Sequence, residues 1–328
     1  ITVNSISGIA NGAASHIVIN SRAGVTVGAV GTDIGTITIT NSGGTTFSST
    51  VSAATVAITS TTVGNTVSFN GNLTLTSGMT VGAGSAAYNV AILGSSNSIA
   101  GATTFSNTGT VTLGDGSDAV AFTGGLVATA PSRVYLGGTI TAAGTGVLNI
   151  GAPVTVSYNS TVGGTSTGAI TLGAATLADG VTLTVGTGIA NTLSLSSVTG
   201  TAGGSVSNLT INTTGAVTVG AVGTDIGTIT ITNSGGTTFG GAVGGSSDRV
   251  SSVVLTATTG TIEFSDNLYA TGITNSGGSF VLKLLGSTTD ITSALTIGTS
   301  GNLYLGNGGD ALAFTGGLVA TAPSRVYL

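Results

Sequence analysis

Surface chemistry needs nucleophiles, bases, cations or metal ligands gathered in one place, and this protein has few of any. A nucleophilic set of the Ser, His and Asp kind requires a histidine, and His16 is the only one among 328 residues. Its counterpart in a second copy of the sequence, described below, is Asn208. Because Asn is no base, His16 reads as a polar turn position. Polysaccharide hydrolysis or elimination needs grouped carboxylates with Lys or Arg in one cleft. Lys283 is the sole lysine, Glu263 the sole glutamate, and most aspartates stand singly in Gly-rich turns. The expectation is a protein that is not an enzyme.

One string has the look of a metal site. Gly114-Asp115-Gly116-Ser117-Asp118, echoed by Gly306-Asn307-Gly308-Gly309-Asp310, resembles the calcium-binding nonapeptide of toxin-type β-rolls, which makes Asp115, Asp118 and Asp310 weak calcium candidates. Those sites hold calcium between consecutive nonapeptides, whereas this string recurs only after 192 residues and Asp115 becomes Asn307. A plain Gly and Asp turn accounts for it, and no cofactor is expected. Asp33 and Asp225 sit in identical Gly-Thr-Asp-Ile-Gly turns, where Asp bonds its own backbone. Arg133 and Tyr135, with Arg325 and Tyr327, lie in two copies of Ala-Pro-Ser-Arg-Val-Tyr-Leu. Arg and Tyr favour contact surfaces, so these four are candidates for lateral docking. Asn72, Asn159, Asn208 and Asn212 begin glycosylation triplets, which arise by chance in a sequence this rich in Asn and Thr.

Composition narrows the class. Five Lys and Arg against ten Asp and Glu give a net charge of −5, and no basic cluster exists to follow phosphates, so nucleic acid is not an expected partner. Apolar residues make up 40% of the sequence, too many for a disordered protein with so little charge. Gly, Ser, Thr or Asn interrupts each apolar stretch, so no transmembrane helix is expected. Cys is absent, which excludes a disulfide scaffold.

The elements that position these residues follow from repetition. Val25 to Phe47 recur unchanged at Val217 to Phe239, and Ala121 to Leu136 recur at Ala313 to Leu328, both with an offset of 192. The expected organisation is a first long repeat over 1–192 and a partial second over 193–328, continuous with it, in an excerpt of a longer array. Inside this period runs a shorter one. Val25-Thr26-Val27-Gly28, Leu73-Thr74-Leu75-Thr76, Val111-Thr112-Leu113-Gly114 and Leu209-Thr210-Ile211-Asn212 alternate apolar with polar, which is the mark of strands with one buried face. Strong motifs recur every 16 to 23 residues, and Gly, Asn, Ser and Asp mark the turns. Coils of about 20 residues stacked about 4.8 Å apart make a right-handed parallel β-helix. Paired sandwich modules of 96 residues are disfavoured by the missing Trp, the short strands and the Gly content.

These strand and turn units, the poverty in Lys and Cys and the long tandem repeat resemble the β-strand-repeat surface proteins of bacteria, namely filamentous-haemagglutinin-like adhesins and autotransporter passenger regions. The resemblance implies export, a β-helical shaft and work in adhesion, surface coating or filament formation. The expected function is a non-enzymatic extracellular structural protein, with a receptor- or glycan-binding adhesin as the alternative and a carbohydrate-active or ice-binding β-helix as remote ones. Self-association end to end or side by side, and a host receptor or glycan, are the expected partners.

Overall fold

A computed structural model describes all 328 residues. The protein is an all-β parallel β-solenoid of about 15 turns with about 22 residues in each, slightly longer than the sequence spacing suggests. It forms two compact units, Ile1–Ala169 and Ile170–Leu328.

In the first unit each coil lays down strands in three parallel ladders. Along one ladder the inward residues Val27, Phe47, Phe69, Ile92, Leu113, Leu136 and Val156 stack in register. All seven are buried. The residues one position earlier form their own file, Thr26, Thr46, Ser68, Ala91, Thr112, Tyr135 and Thr155, of which only Ala91 is buried. A second ladder stacks Ala53, Leu75, Ile99, Phe122 and Ala142, and a third stacks Ile19, Ile39, Ile58, Val81 and Phe105. Period-two alternation therefore feeds three walls of one narrow core. Each fully buried Val, Leu or Ile contributes about 1.5–3 kcal/mol of hydrophobic stabilisation.

The second unit repeats the plan. Leu172, Leu195, Val219, Phe239 and Phe264 form one inward file. Leu183, Leu209, Ile229, Val253 and Ile273 form another. Aromatic residues at inward positions stack coil on coil: the Phe47 and Phe69 rings lie 4.8 Å apart and 1° from parallel, and the Phe239 and Phe264 rings 4.8 Å apart and 4°.

Many strands are three to five residues long, and others run on around a corner. Val154–Gly164 has 11 residues and Arg133–Ala142 has 10. Each spans two ladders, and their mutual register shifts between Leu136 and Gly138, where a bulge turns the backbone from one wall to the next. Glycine is obligatory where coils touch without side chains between them: a Cβ at Gly28 would lie 1.8 Å from the Asn4 carbonyl oxygen, and one at its counterpart Gly220 would lie 1.9 Å from that of Ser196.

The corners carry a device not read from the sequence. A buried Ser, Thr or Asn two residues before Gly turns its polar group inward at Ser42, Ser166, Thr213 and Thr299, with Asn107 in the same role. The Thr213 hydroxyl donates to the Asn191 carbonyl at 2.7 Å and accepts the Gly215 N–H at 3.0 Å. Thr299 donates to Phe280 O at 2.6 Å and accepts from Gly301 at 3.2 Å. Asn107, which stands where the second copy has Thr299, donates to Tyr88 O at 2.9 Å. The hydroxyl corners thus satisfy backbone groups that a sharp turn removes from the ladders, whereas Asn107 donates through Nδ2 and leaves its Oδ1 buried without a partner.

Candidate functional site

Chemistry-bearing side chains gather on the outward files of the second unit. From Thr171 the file runs through Ser194, Thr218, Thr238, Glu263, Lys283, Tyr304 and Tyr327, one residue per coil. Strand neighbours sit about 4.8 Å apart, so its last four members touch in sequence. Lys283 Nζ donates to Glu263 Oε2 at 3.1 Å and lies 5.6 Å from the centre of the Tyr304 ring. The Tyr304 and Tyr327 rings stack at 4.4 Å and 6°.

A hydrogen bond from Ser265 and the neighbouring Lys283 ammonium hold the Glu263 carboxyl below its ordinary range, against the opposing effect of partial burial. A carboxyl so lowered stabilises the fold above the unfolded-state pKa and loses that contribution as pH falls through the folded-state value. Wild type should therefore lose a small increment of stability at and below the usual glutamate range that Glu263→Gln lacks. Thermal melts of both proteins across acid pH measure it, and parallel curves would remove the assignment.

A second cluster lies on a different ladder. The Arg249 guanidinium bonds the Asp290 carboxylate, donates to the Asp290 carbonyl at 3.0 Å and lies 5.8 Å from the centre of the Tyr269 ring. Tyr269 and Asp290 are register partners. Both ion pairs are partly exposed, and such pairs contribute about 0–1 kcal/mol.

The structure brings Tyr327 against Tyr304, whereas Tyr135, its counterpart, lies between Thr112 and Thr155. Arg133 reaches across to the next coil and donates to Thr155 Oγ1 at 2.8 Å, and Arg325 pairs in register with Asn302. Among the acidic candidates, Asp118 Oδ2 accepts the Asp115 N–H at 2.8 Å, and Asp310 Oδ2 accepts the Asn307 N–H at 2.6 Å. Partial burial and the nearby Asp118 raise the Asp115 carboxyl above its ordinary range. Each pair closes its own turn, and no group of three or more His, Asp or Glu side chains comes together. Comparison with protein families, curated proteins and solved structures gives no match.

The remaining candidates stand apart from these clusters. His16 is exposed and pairs in register with Thr36. Asp33 and Asp225 have φ of 66° and 60°, the left-handed turn conformation that Asp tolerates, and each leaves one carboxylate oxygen buried without a partner. Asn72 Oδ1 accepts from Ser95 Oγ at 3.2 Å and from Ser96 N at 3.0 Å, and Asn208 Oδ1 accepts the Thr228 N–H at 3.0 Å, so two of the four glycosylation-type asparagines fasten neighbouring coils. A hollow of about 420 Å³ is lined by Met79, Thr80, Gly82, Ala102, Thr104 and Ser106, which offer hydroxyls and methyls.

Reading the sequence missed Glu263, Lys283, Tyr304, Arg249, Tyr269 and Asp290 as interacting groups. Their only signal is a spacing of one coil, as from Lys283 to Tyr304, and coil length varies along the protein.

Proposed function

We propose that this protein is a non-enzymatic extracellular structural protein that forms a right-handed β-solenoid shaft on a bacterial surface or in a filament. The observation that carries the reading is the division of labour across its strands: inward files of Val, Ile, Leu and Phe, outward files mostly of Thr, Ser and Ala. Such walls resist bending and proteolysis because each coil bonds to its neighbours along continuous ladders. Molecules join end to end or side by side, since parallel strand edges and weakly charged faces associate readily. Kinship with filamentous-haemagglutinin-like adhesins and autotransporter passengers accords with the tandem repeat and the solenoid fold.

The adhesin reading is favoured by one observation, the Glu263, Lys283, Tyr304 and Tyr327 file, where charge and aromatic edges concentrate on one face. Electron microscopy of the purified protein tests the shaft: straight rods lengthening by about 4.8 Å per coil are expected, and separate beads would overturn it. Glycan-array binding lost on Tyr304→Ala would move the assignment to the adhesin.

A further inference from the structure

Three asparagines precede glycine, Asn11, Asn70 and Asn307, and the fold treats them differently. Glycine leaves its amide nitrogen free to reach the carbonyl carbon of the preceding side chain, because no Cβ stands in the way. The backbone must still be able to swing.

Asn307 lies exposed at the tip of a turn. Gly308 and Gly309 follow with φ of +118° and +78°, and a Cβ on either would meet no atom within 4 Å. The Asp310 carboxylate holds only the Asn307 backbone N–H, leaving its side-chain amide free. Asn11 is also exposed, and a Cβ on Gly12 would find its nearest atom, Ile9 O, at 3.8 Å. Asn70 is pinned. Its side chain accepts the Ser68 hydroxyl, and its N–H donates to Phe47 O at 2.9 Å. A Cβ on Gly71 would lie 2.4 Å from the Ser49 carbonyl carbon, and one on Gly94 only 2.5 Å from Gly71 O, so Gly71 is wedged between two coils.

We propose that Asn307 and Asn11 are sites of spontaneous succinimide-mediated deamidation in the folded protein, and that the fold shields Asn70. The Gly308 nitrogen, giving up its proton to solvent base, attacks Asn307 Cγ and forms a new bond to it. The Cγ–Nδ2 bond of the asparagine breaks, and ammonia leaves with a proton from water. Water then adds to one carbonyl of the five-membered ring, and cleavage of either of the two ring bonds to nitrogen gives aspartate or isoaspartate. The net reaction consumes one water and releases one ammonia. At Asn307 the aspartate product recreates the turn that Asp115 and Asp118 already form at the equivalent place, so the fold accommodates it. Each event adds one negative charge to a protein of net charge −5.

The test is incubation of the full-length protein at mildly alkaline pH, folded and in denaturant, with peptide mass mapping and enzymatic labelling of isoaspartate. Folding should slow Asn307 and Asn11 by less than about threefold and Asn70 by at least about tenfold, because reaction at Asn70 awaits local opening. Gly308→Ala should slow Asn307 alone. Asn70 keeping pace with Asn307 in the folded protein, or Asn307 reacting only in denaturant, would overturn the proposal.

Discussion

Replacing Phe239 with Ala should lower the unfolding free energy by about 3–5 kcal/mol, the cost of losing a buried aromatic ring and leaving a cavity behind. Phe239 is fully buried and stacks on Phe264 from the coil above. Around this pair the backbone ladders run through Val219, Phe239 and Phe264 on successive strands. Neighbouring coils in a solenoid support one another and little else, so lost hydrogen-exchange protection should centre on 217–222, 237–239 and 261–264. The double substitution with Phe264→Ala should cost less than the sum of the two by about 0.5–1.5 kcal/mol, the coupling of a stacked pair. Outward Thr218→Ala should change stability by no more than about 0.5 kcal/mol. Urea denaturation followed by circular dichroism measures all four. A loss below about 1 kcal/mol for Phe239→Ala would mean that the ring is not buried in the core.

The second large effect is a single chemical change with opposite signs at two kinds of site. Thr45, Thr103, Thr237 and Thr289 occupy inward positions, and their hydroxyls are buried without partners. Thr237 stands in register between Val217 and Ile262, and Thr289 between Leu268 and Leu312. Valine has nearly the same shape and no hydroxyl to desolvate, so Thr237→Val should raise stability by about 1–2 kcal/mol. At the corners the sign reverses. Thr213→Val deletes a hydroxyl that donates to the Asn191 carbonyl and accepts the Gly215 N–H, and losing both bonds should cost about 1–3 kcal/mol. Denaturant midpoints of the two variants should fall on opposite sides of wild type. A shift in the same direction would refute the distinction between core and corner hydroxyls.

Much of the fold was legible from short-range pattern. Alternation such as Val25-Thr26-Val27 depends only on adjacent residues, because successive side chains of a strand face opposite ways, and the structure buries Val25 and Val27 while exposing Thr26. The same reasoning could not place the inward Thr237, because Thr-Thr-Phe puts a polar type where the pattern expects an apolar one. Nor could it separate Thr213 from the many other threonines, since its role rests on a carbonyl 22 residues earlier. Tyr88 and its counterpart Phe280 both lie fully buried, and only the contact of the Tyr88 hydroxyl with Gly82 O, at 2.5 Å, explains the tolerated oxygen. Burial there pushes the Tyr88 phenol up to about 12.

The amino-acid order by itself determined that the protein builds many short one-faced strands, that tight turns separate them, and that the pattern returns after 192 residues. Those properties need only neighbouring side chains and backbone preferences. The tertiary structure alone decided which residues meet across coils. Register partners lie 19 residues apart at Ser207 and Ile226 but 26 apart at Thr182 and Asn208, because corners and bulges absorb different lengths while packing keeps each inward residue over the last. The Glu263, Lys283 and Tyr304 file, the buried orphan hydroxyls and the wedged Gly71 all follow from that non-local choice.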